Sequence, residues 1–261
     1  MTKLFRANFD LLVNQSTTIT YNAISVTGER HRRNNDRNQD FYACNIRGGV
    51  TYAIVADGLG SATYSHIGAE KAVTLLEQMI SEHFRDESAI SESEMAIFHA
   101  SFLEAWKKHF PNNHHEYDTT LLYVVILSNG AMAGSIGDGL ILSAINKEVS
   151  IITDTRNSFS NQTVSLASEF AIQHFKSIFK PFNAQDDSSI VFLLMTDGIS
   201  DDLKAEMMEQ LPVYLLHELE EEGVITLQKK IGDWVLNWQT DSHSDDRTFC
   251  MLTVRKGGET E

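Results

Sequence analysis

Residues 50–58 read VTYAIVADG, an apolar and largely β-branched run that ends at an aspartate and a glycine. Such a run predicts a buried strand, and its end places the Asp57 carboxylate at the rim of a sheet. Two other stretches also join an acidic turn to an apolar run: SIVFLLMTDG at residues 189–198 ends at one, and HSDDRTFCML at residues 243–252 opens with Asp245 and Asp246. If the three acidic strand ends meet at one rim, they form a site for a hard metal ion.

The composition favours one enzyme-sized domain. A chain of 261 residues with 42% hydrophobic residues can bury a large core, so we expect a single domain over residues 1–261. The 21 basic and 36 acidic residues give a formal net charge of −15. This charge repels the phosphate backbone of nucleic acids, so we expect no nucleic acid partner.

The cysteines and the hydropathy pattern both favour the cytoplasm. Cys44 and Cys250 lack the spacing of a metal site or a disulfide framework, and we expect both to be buried apolar groups. The apolar run LLYVVIL is too short to span a bilayer, and the opening MTKLFRANFDLLVN lacks the pattern of a signal peptide. We therefore expect no membrane anchor.

Hydrophobic periodicity predicts blocks of strands and blocks of helices. Apolar residues recur every three or four positions at 67–84 and 95–110, which is typical of two successive amphipathic helices. Asn-Gly and Asp-Gly pairs between apolar runs are strong hairpin signals, so residues 119–153 are predicted to form an antiparallel meander. Predicted strands cover residues 18–26, 41–46, 50–56, 119–127, 131–136, 140–145, 149–153 and 247–254, with one more ending at Thr196.

Two further segments have less regular sequence patterns. Residues 154–189 begin with a polar stretch without a clean period, which indicates a flap or binding loop, and Ala171 to Phe179 are predicted to form a short helix within it. After Thr196 two more helical patterns follow, and Pro212 is expected to start a new helix or to kink the first one.

The order of these blocks predicts the α+β class. Two facing antiparallel sheets would bury their apolar sides against each other, and helix pairs would cover the outer faces. The expected architecture is a four-layer α-β-β-α sandwich.

The acidic strand ends suit magnesium or manganese. Carboxylates are hard oxygen ligands, and two close cations need a bridging carboxylate because they otherwise repel each other. Asp57 is the natural bridge, and Gly58 allows a tight turn that leaves its carbonyl free as a further ligand. A water held between two such ions loses its proton near neutral pH and can attack phosphorus directly. No side-chain nucleophile is then required.

Six motifs in this order resemble those of the metal-dependent protein phosphatases of the protein phosphatase 2C type, in their compact bacterial form. They are RNNDRNQDFY, VADGLGS, the Thr119-Thr120 pair, GSIGDG, MTDGISD and SDDRT. The resemblance implies two facing sheets flanked by helices and two bridged Mn²⁺ or Mg²⁺ ions, with a third ion in many relatives. It also implies hydrolysis of phosphoserine or phosphothreonine in a phosphorylated protein substrate, and we expect a monomer.

The resemblance assigns the metal ligands. Asp57 matches the bridging ligand and Gly58 supplies its carbonyl, whereas Asp197 and Asp245 match ligands of the first metal. Asp40 matches an acid that holds metal-bound water.

Two further aspartates carry open alternatives. Asp138 matches the ligand of the third, weaker metal, but Asp138-Gly139 is also what a plain hairpin turn would contain. Asp246 stands where the family usually has asparagine, so it is either an outer-shell acceptor or an extra ligand.

Three positions depart from the family pattern. Gln39 replaces a frequent glutamate, Leu59 replaces the histidine thought to protonate the leaving group in animal relatives, and Asn35 stands at the position of the phosphate-gripping arginine. These changes leave two residues unassigned: the one that binds the phosphate and the one that protonates the leaving group.

An arginine cluster suggests a replacement for the phosphate-binding residue. Four arginines, at 30, 32, 33 and 37, precede Asp40 in an otherwise acidic chain. Because guanidinium grips phosphate oxygens in a bidentate manner, our hypothesis is that Arg33 or Arg37 orients the phosphoryl group. The alternative is a solvated surface patch.

Two rival functions remain open. Gln39 and Leu59 are consistent with a catalytically weak or inactive family member that binds phosphorylated partners. A metal-dependent phosphodiesterase or nuclease would use similar carboxylates, but the charge of −15 and the absence of a basic or aromatic track disfavour it.

Overall fold

The computed structural model describes residues 5–13, 17–47, 50–84, 90–127, 130–153, 163–181, 189–238 and 244–256. Its strands in chain order are β1 (Phe5–Val13), β2 (Thr17–Val26), β3 (Asp40–Arg47), β4 (Val50–Asp57), β5 (Leu121–Leu127), β6 (Gly130–Ile136), β7 (Leu140–Ile145), β8 (Glu148–Thr153), β9 (Lys176–Pro181), β10 (Ile190–Met195) and β11 (Arg247–Lys256). Its helices are α1 (Glu29–Asn34), α2 (Ser65–His83), α3 (Glu92–His109), α4 (Ala171–His174), α5 (Asp197–Ser200) and α6 (Ala205–Leu236), with a 3-10 turn at His114–Tyr117.

The strands form two antiparallel sheets in a four-layer sandwich, as the sequence predicts. The first sheet has the order β1-β2-β11-β10-β7-β8 and the second has the order β3-β4-β5-β6-β9. One apolar cluster joins the facing sheets and includes Cys44 and Cys250, both of which are buried as expected. A second cluster packs α2 and α3 on the outer face of the second sheet, and a third packs α6 on the first.

The predicted meander over residues 119–153 is wrong at its middle turn only, because β5 pairs with β6 and β7 pairs with β8, whereas β6 does not pair with β7. Strands β5 and β6 belong to the second sheet, whereas β7 and β8 belong to the first. The chain therefore crosses from one sheet to the other at residues 137–139, where Gly137 has a φ of 114°. Asp-Gly marks a sharp turn correctly, but the residues of a turn do not determine which sheet the next strand joins. Ser128 and Asn129, in the other predicted turn, lie outside the described residues.

The segment after β8 differs from its predicted helix. Only Ala171–His174 is helical, and Lys176–Pro181 forms β9, which extends the second sheet beyond β6. Ile178 and Phe179 are therefore strand residues that pack against the sandwich core. The predicted flap at residues 154–189 stays a prediction, since residues 154–162 and 182–188 lie outside the described part of the chain.

The long helix α6 breaks at a glycine rather than at the proline. Pro212 lies within helical backbone, and the non-helical residue inside α6 is Gly223, with φ 78° and ψ 168°. Strand β1 was not predicted, although it pairs with β2 over residues 5–13. No helix in the described residues is both long enough and apolar enough to cross a membrane.

Candidate active site

Three of the predicted carboxylates meet at one end of the two sheets. Ligand oxygens of Asp57, Asp138 and Asp197 all lie within 4.8 Å of one another. We call these three residues the acidic cluster. They come from the end of β4, from the crossing between β6 and β7, and from the residue directly after β10. The cluster thus draws on both sheets.

Asp57 is fixed by strand pairing and by the Thr119-Thr120 pair. The backbone carbonyl of Asp57 accepts hydrogen bonds from Thr119 Oγ1 at 2.7 Å and from the Thr120 amide at 2.8 Å. The Asp57 amide donates to Thr120 Oγ1 at 3.1 Å. Burial, followed by the charges of Asp197 and Asp40, raises the pKa of the Asp57 carboxyl well above its usual range.

Asp40 lies directly opposite Asp57 in the β3–β4 pair and is 6% exposed. Its Oδ2 accepts hydrogen bonds from Thr196 Oγ1 at 3.0 Å and from Thr248 Oγ1 at 2.7 Å. Its buried Oδ1 has no partner among the described residues. Burial and the charge of Asp246 raise the pKa of this carboxyl well above its usual range. One buried acceptor therefore remains for a ligand of the site.

Asp197 follows β10, and the next residue, Gly198, allows the chain to come close to the residues before β11. A Cβ on Gly198 would lie 2.0 Å from the Asp246 carbonyl oxygen, so only glycine lets the start of α5 approach the residues before β11. Burial, followed by the charge of Asp138, raises the pKa of Asp197 to about 6. Asp197 is thus another carboxylate held near like charges.

Asp138 belongs to the acidic cluster and is more than a turn residue. Its Oδ2 accepts a hydrogen bond from Thr163 Oγ1 at 2.6 Å. The plain hairpin alternative fails because the strands on either side belong to different sheets. Its role as a metal ligand stays a prediction.

Asp246 acts as an anchor for the turn before β3. Its Oδ1 accepts from the Gly28 amide at 2.7 Å, and its Oδ2 accepts from the Gln39 amide at 2.6 Å and from His31 Nδ1 at 2.9 Å. This carboxylate is 2% exposed and is already engaged by three donors. The contacts favour the outer-shell alternative over an extra metal ligand.

His31, Asp245 and Asp246 form a second group with ligand spacing. Hydrogen bonds already link its members, because His31 donates to Asp246 and Asp245 Oδ1 accepts from the Asp246 amide at 3.0 Å. The hydrogen bond to Asp246 raises the pKa of His31. Asp245 itself is 38% exposed, and its charge contributes to the raised pKa of Asp197. Asp245 therefore faces the same region as the acidic cluster.

The arginines before Asp40 differ in what they contact. Arg30 Nη2 lies 3.2 Å from both carboxylate oxygens of Asp245. Arg33 is 75% exposed at its side chain and pairs with Glu29 one turn earlier in α1. Arg37 is exposed, and burial followed by the charge of Arg37 lowers the pKa of His66. The predicted roles of Arg33 and Arg37 have no support from contacts with the cluster among the described residues.

Sequence reasoning did not select Arg30 or His31. The arginine cluster before Asp40 was visible, but nothing local distinguishes Arg30 from its neighbours. The deciding contacts join residues 215 positions apart in the chain, so they become visible only after folding. The local signal for His31 is its place on the single buried face of the short helix α1.

A cavity of about 810 Å³ adjoins the acidic cluster. Thr163, which donates to Asp138, belongs to its wall. The described residues lining it are Leu59, Gly60, Ser61, His115, Asp118, Thr163, Val164, Ser165, Ser168, Glu169 and His174. Asp118 accepts hydrogen bonds from Ser165 Oγ and from the Thr119 and Ala167 amides. The cavity is lined mainly by polar residues and borders the cluster through Thr163.

The donor set fits a divalent cation. Half-buried carboxylates this close to one another are costly because their charges repel, and a hard cation relieves that cost. The partnerless Asp40 Oδ1 supplies a further buried acceptor. All ligands offered by the acidic cluster are oxygens, which suits Mg²⁺ or Mn²⁺ rather than a thiolate-binding metal.

Known structures share this fold. A bacterial serine phosphatase has a TM-score of 0.61 and 18% identity, covering 98% of this chain and 100% of the other. The serine/threonine phosphatase Stp1 from Staphylococcus aureus has a TM-score of 0.59 and 16% identity, covering 99% and 97%. The catalytic domain of the phosphatase PstP, solved with two manganese ions, has a TM-score of 0.56 and 16% identity, covering 96% and 98%.

The family assignment rests on sequence. No curated protein matches the chain significantly. The family model described as protein phosphatase 2C matches residues 27–236, a span that includes Asp40 and the whole acidic cluster. Because that match covers most of the chain and the fold agrees with it, the chain belongs to the protein phosphatase 2C family and is a protein phosphatase.

Proposed function

We propose that this protein hydrolyses phosphoserine and phosphothreonine in proteins with the help of two Mn²⁺ or Mg²⁺ ions. The observation that carries the proposal is the meeting of Asp57, Asp138 and Asp197 within 4.8 Å of one another. Three close carboxylates suit a cation that in turn binds phosphoryl oxygen, and the family to which the chain belongs makes the same chemistry expected.

The aspartates have distinct proposed roles. Asp57 and the Gly58 carbonyl would hold the two ions together with Asp197 and Asp245. Asp138 would help to hold a third, weaker ion. When bound, the ions supply Lewis acid activation of water and of the phosphoryl group. Asp40, held by two threonine hydroxyls through Oδ2, keeps Oδ1 available to orient a water.

The substrate is proposed to be a phosphorylated protein handled by a monomer in the cytoplasm. The acidic cluster lies next to a polar cavity large enough for several residues of a peptide. The cavity wall includes serine and threonine hydroxyls and two histidines, which can contact a polypeptide on either side of its phosphorylated residue. The net charge of −15 disfavours nucleic acid as a substrate.

The runner-up is a binding module that has lost turnover. Gln39 and Leu59, where many relatives have ionisable residues, are the observation in its favour. Such a module would bind a phosphopeptide without releasing phosphate.

Hydrolysis of p-nitrophenyl phosphate after chelation, with and without added manganese, tests the proposal. We expect manganese-stimulated release by the wild type and a loss of at least about a hundredfold in Asp197→Asn, because one removed charge-stabilising contact typically costs that much. Asp233→Asn, an exposed aspartate of α6, is the matched control and should keep wild-type activity. Wild-type protein that binds a phosphoserine peptide but releases no phosphate would support the binding module instead.

A further inference from the structure

The cavity beside the acidic cluster has an available carboxylate in its wall. Thr163, which donates to Asp138, and Glu169 both line the cavity, so it leads from the cluster to Glu169. Glu169 is exposed and forms no hydrogen bond or ion pair with another described residue. The other carboxylate of the described lining, Asp118, is 9% exposed and already accepts hydrogen bonds from three donors. Glu169 is therefore the carboxylate that can meet a ligand in this cavity.

The backbone that carries Glu169 is firmly held. The Ala167 amide donates to Asp118 Oδ1 at 2.9 Å, and the Ala171 amide donates to the Ser168 carbonyl at 3.2 Å. Ala167 and Ala171, on either side of Glu169, are both 1% exposed and belong to the apolar cluster that packs α2 and α3 on the second sheet. Because both neighbours are buried, the wall is fixed before a ligand arrives, and binding there costs little ordering of the backbone.

The residue after Glu169 has an unusual backbone conformation. Phe170 has φ 59° and ψ 26°, in the left-handed region, although its side chain is bulky and 58% exposed. Bulky residues rarely adopt this region, and such conformations concentrate at functional sites. The Phe170 carbonyl accepts from the Gln173 amide at 2.8 Å, which helps to fix the turn. An exposed carboxylate followed by an exposed aromatic ring suits a guanidinium or ammonium group.

The charges around the cavity favour a cation. No lysine or arginine is among the described residues that line it, whereas Asp118 and Glu169 both are. The remaining titratable residues of this lining are His115 and His174. Lys107 approaches the same segment, but its ammonium donates to the Ser168 carbonyl at 3.4 Å and the residue is not part of the lining. The net charge of −15 also attracts a basic peptide and repels an acidic one.

We propose that Glu169 binds a lysine or arginine side chain of the substrate and so selects phosphoproteins with a basic residue close to the phosphorylated serine or threonine. The phosphorylated residue occupies the acidic cluster, and the chain beside it extends into the cavity of about 810 Å³. Glu169 is a specificity-determining residue and takes no part in the chemical step. The inference rests on the proposed phosphatase function and adds the class of substrate.

A panel of phosphoserine peptides tests the preference. The peptides differ only in having arginine or glutamine at one position on either side of the phosphoserine, and released phosphate gives kcat/KM in the presence of manganese. We expect arginine to raise kcat/KM of the wild type about three- to tenfold at one or two positions, because an ion pair in a cavity is stronger than a fully exposed one. A wild type that treats the two peptides alike at every position would overturn the proposal.

Variants at position 169 test whether Glu169 causes the preference. In Glu169→Gln the ratio of kcat/KM between the arginine and glutamine peptides should fall to about one, and Glu169→Lys should instead favour a peptide with glutamate at that position. The ratio is measured within each variant, so a general change in activity or folding cancels. Glu104→Gln removes an exposed carboxylate of α3 and is the matched control, with the wild-type ratio expected. A preference that survives in Glu169→Gln, or that is lost equally in Glu104→Gln, would refute the role of Glu169.

Salt dependence tests whether the preference is electrostatic. Raising the ionic strength from about 0.1 M to about 1 M shortens the screening length from about 10 Å to about 3 Å. The wild-type preference for arginine should shrink over this range, whereas a preference that does not change with salt would contradict an ion pair with Glu169.

The two proposals fail in different ways. A wild-type protein without manganese-stimulated release from p-nitrophenyl phosphate would contradict the phosphatase function, whereas calorimetric titration with the same phosphopeptides would still report on Glu169. An active wild type whose peptide preference does not depend on Glu169 would contradict only the present inference.

Discussion

The carboxylates of Asp57, Asp138 and Asp197 lie together although each repels the other two. Burial adds to the free-energy cost of this repulsion. It is also the leading cause of the raised pKa values of Asp57 and Asp197. Their positions were predictable because each follows or interrupts an apolar run, and a carboxylate there is costly without a function. Arg30 and His31 were not predictable in the same way, since their importance depends on contacts with Asp245 and Asp246.

Removing one charge from the acidic cluster should stabilise the metal-free protein. An Asp197 carboxyl with a native pKa of about 6 against an ordinary value of 3.8 binds its proton more tightly in the folded state. Its contribution to stability therefore falls as pH rises from 3.8 to about 6, and the cost persists above that pH. In EDTA at pH 7.5, Asp197→Asn should gain about 1 to 3 kcal/mol in unfolding free energy.

Urea denaturation of both proteins between pH 4 and pH 8 measures this gain. The advantage of Asp197→Asn should be small at pH 4 and should reach its full size above pH 6. A variant less stable than the wild type at pH 7.5 would show that the carboxylate contributes more through hydrogen bonding than it costs through repulsion.

At the scale of elements, strands and amphipathic helices were predicted well because their burial patterns are local. Helices α2 and α3 bury the apolar stripes that the periodicity indicated, and β7 matches its predicted bounds. The pairing of β6 and β7 was not predictable from local signals, because a sharp turn serves equally for a hairpin and for a crossing between sheets. The break in α6 was predicted at the wrong residue for a related reason. Pro212 was the stronger local signal, but Gly223 adopts the backbone angles that only glycine takes easily.

The two glycines of α6 should respond in opposite ways to alanine. Gly223 has φ 78° and ψ 168°, and no atom lies within 4 Å of an added Cβ, so the cost in Gly223→Ala is backbone strain alone. We expect a loss of about 1 to 3 kcal/mol in unfolding free energy. Gly232 lies in helical backbone with Ile24 Cδ1 at 3.9 Å from an added Cβ, so Gly232→Ala should be neutral or gain up to about 1 kcal/mol.

Thermal denaturation of the two variants in the same buffer distinguishes these cases. Equal melting temperatures would mean that α6 rearranges at the break to relieve the strain in Gly223→Ala.

At the scale of the whole molecule, the acidic cluster ties both sheets together. Asp57 ends a strand of the second sheet, Asp197 follows a strand of the first, and Asp138 lies at the crossing between them. The layered architecture was predictable from the order of strand and helix blocks. Strand β1 was missed although residues 5–11, FRANFDL, alternate strictly between apolar and polar side chains, which is a local signal for the strand that pairs with β2.

A cation bound across the two sheets should stabilise the fold as a whole. A ligand present at a hundred times its dissociation constant and bound only by the folded state adds about 2.7 kcal/mol per site. We therefore expect manganese to raise the melting temperature of chelated wild-type protein by several degrees in a concentration-dependent manner. Asp197→Asn should show a much smaller rise, while Asp233→Asn should match the wild type. A rise of equal size in Asp197→Asn would place the stabilising ion elsewhere.

Strand β11 is the last described strand in chain order, yet it lies between β2 and β10 in the middle of its sheet. The residues just before it, Asp245 and Asp246, hold the turn that carries Arg30. During synthesis, β2 and β10 emerge from the ribosome without the strand that joins them. The edge that carries the acidic cluster therefore assembles only after β11 has been translated, and we expect a chain that ends before residue 244 to lack phosphatase activity.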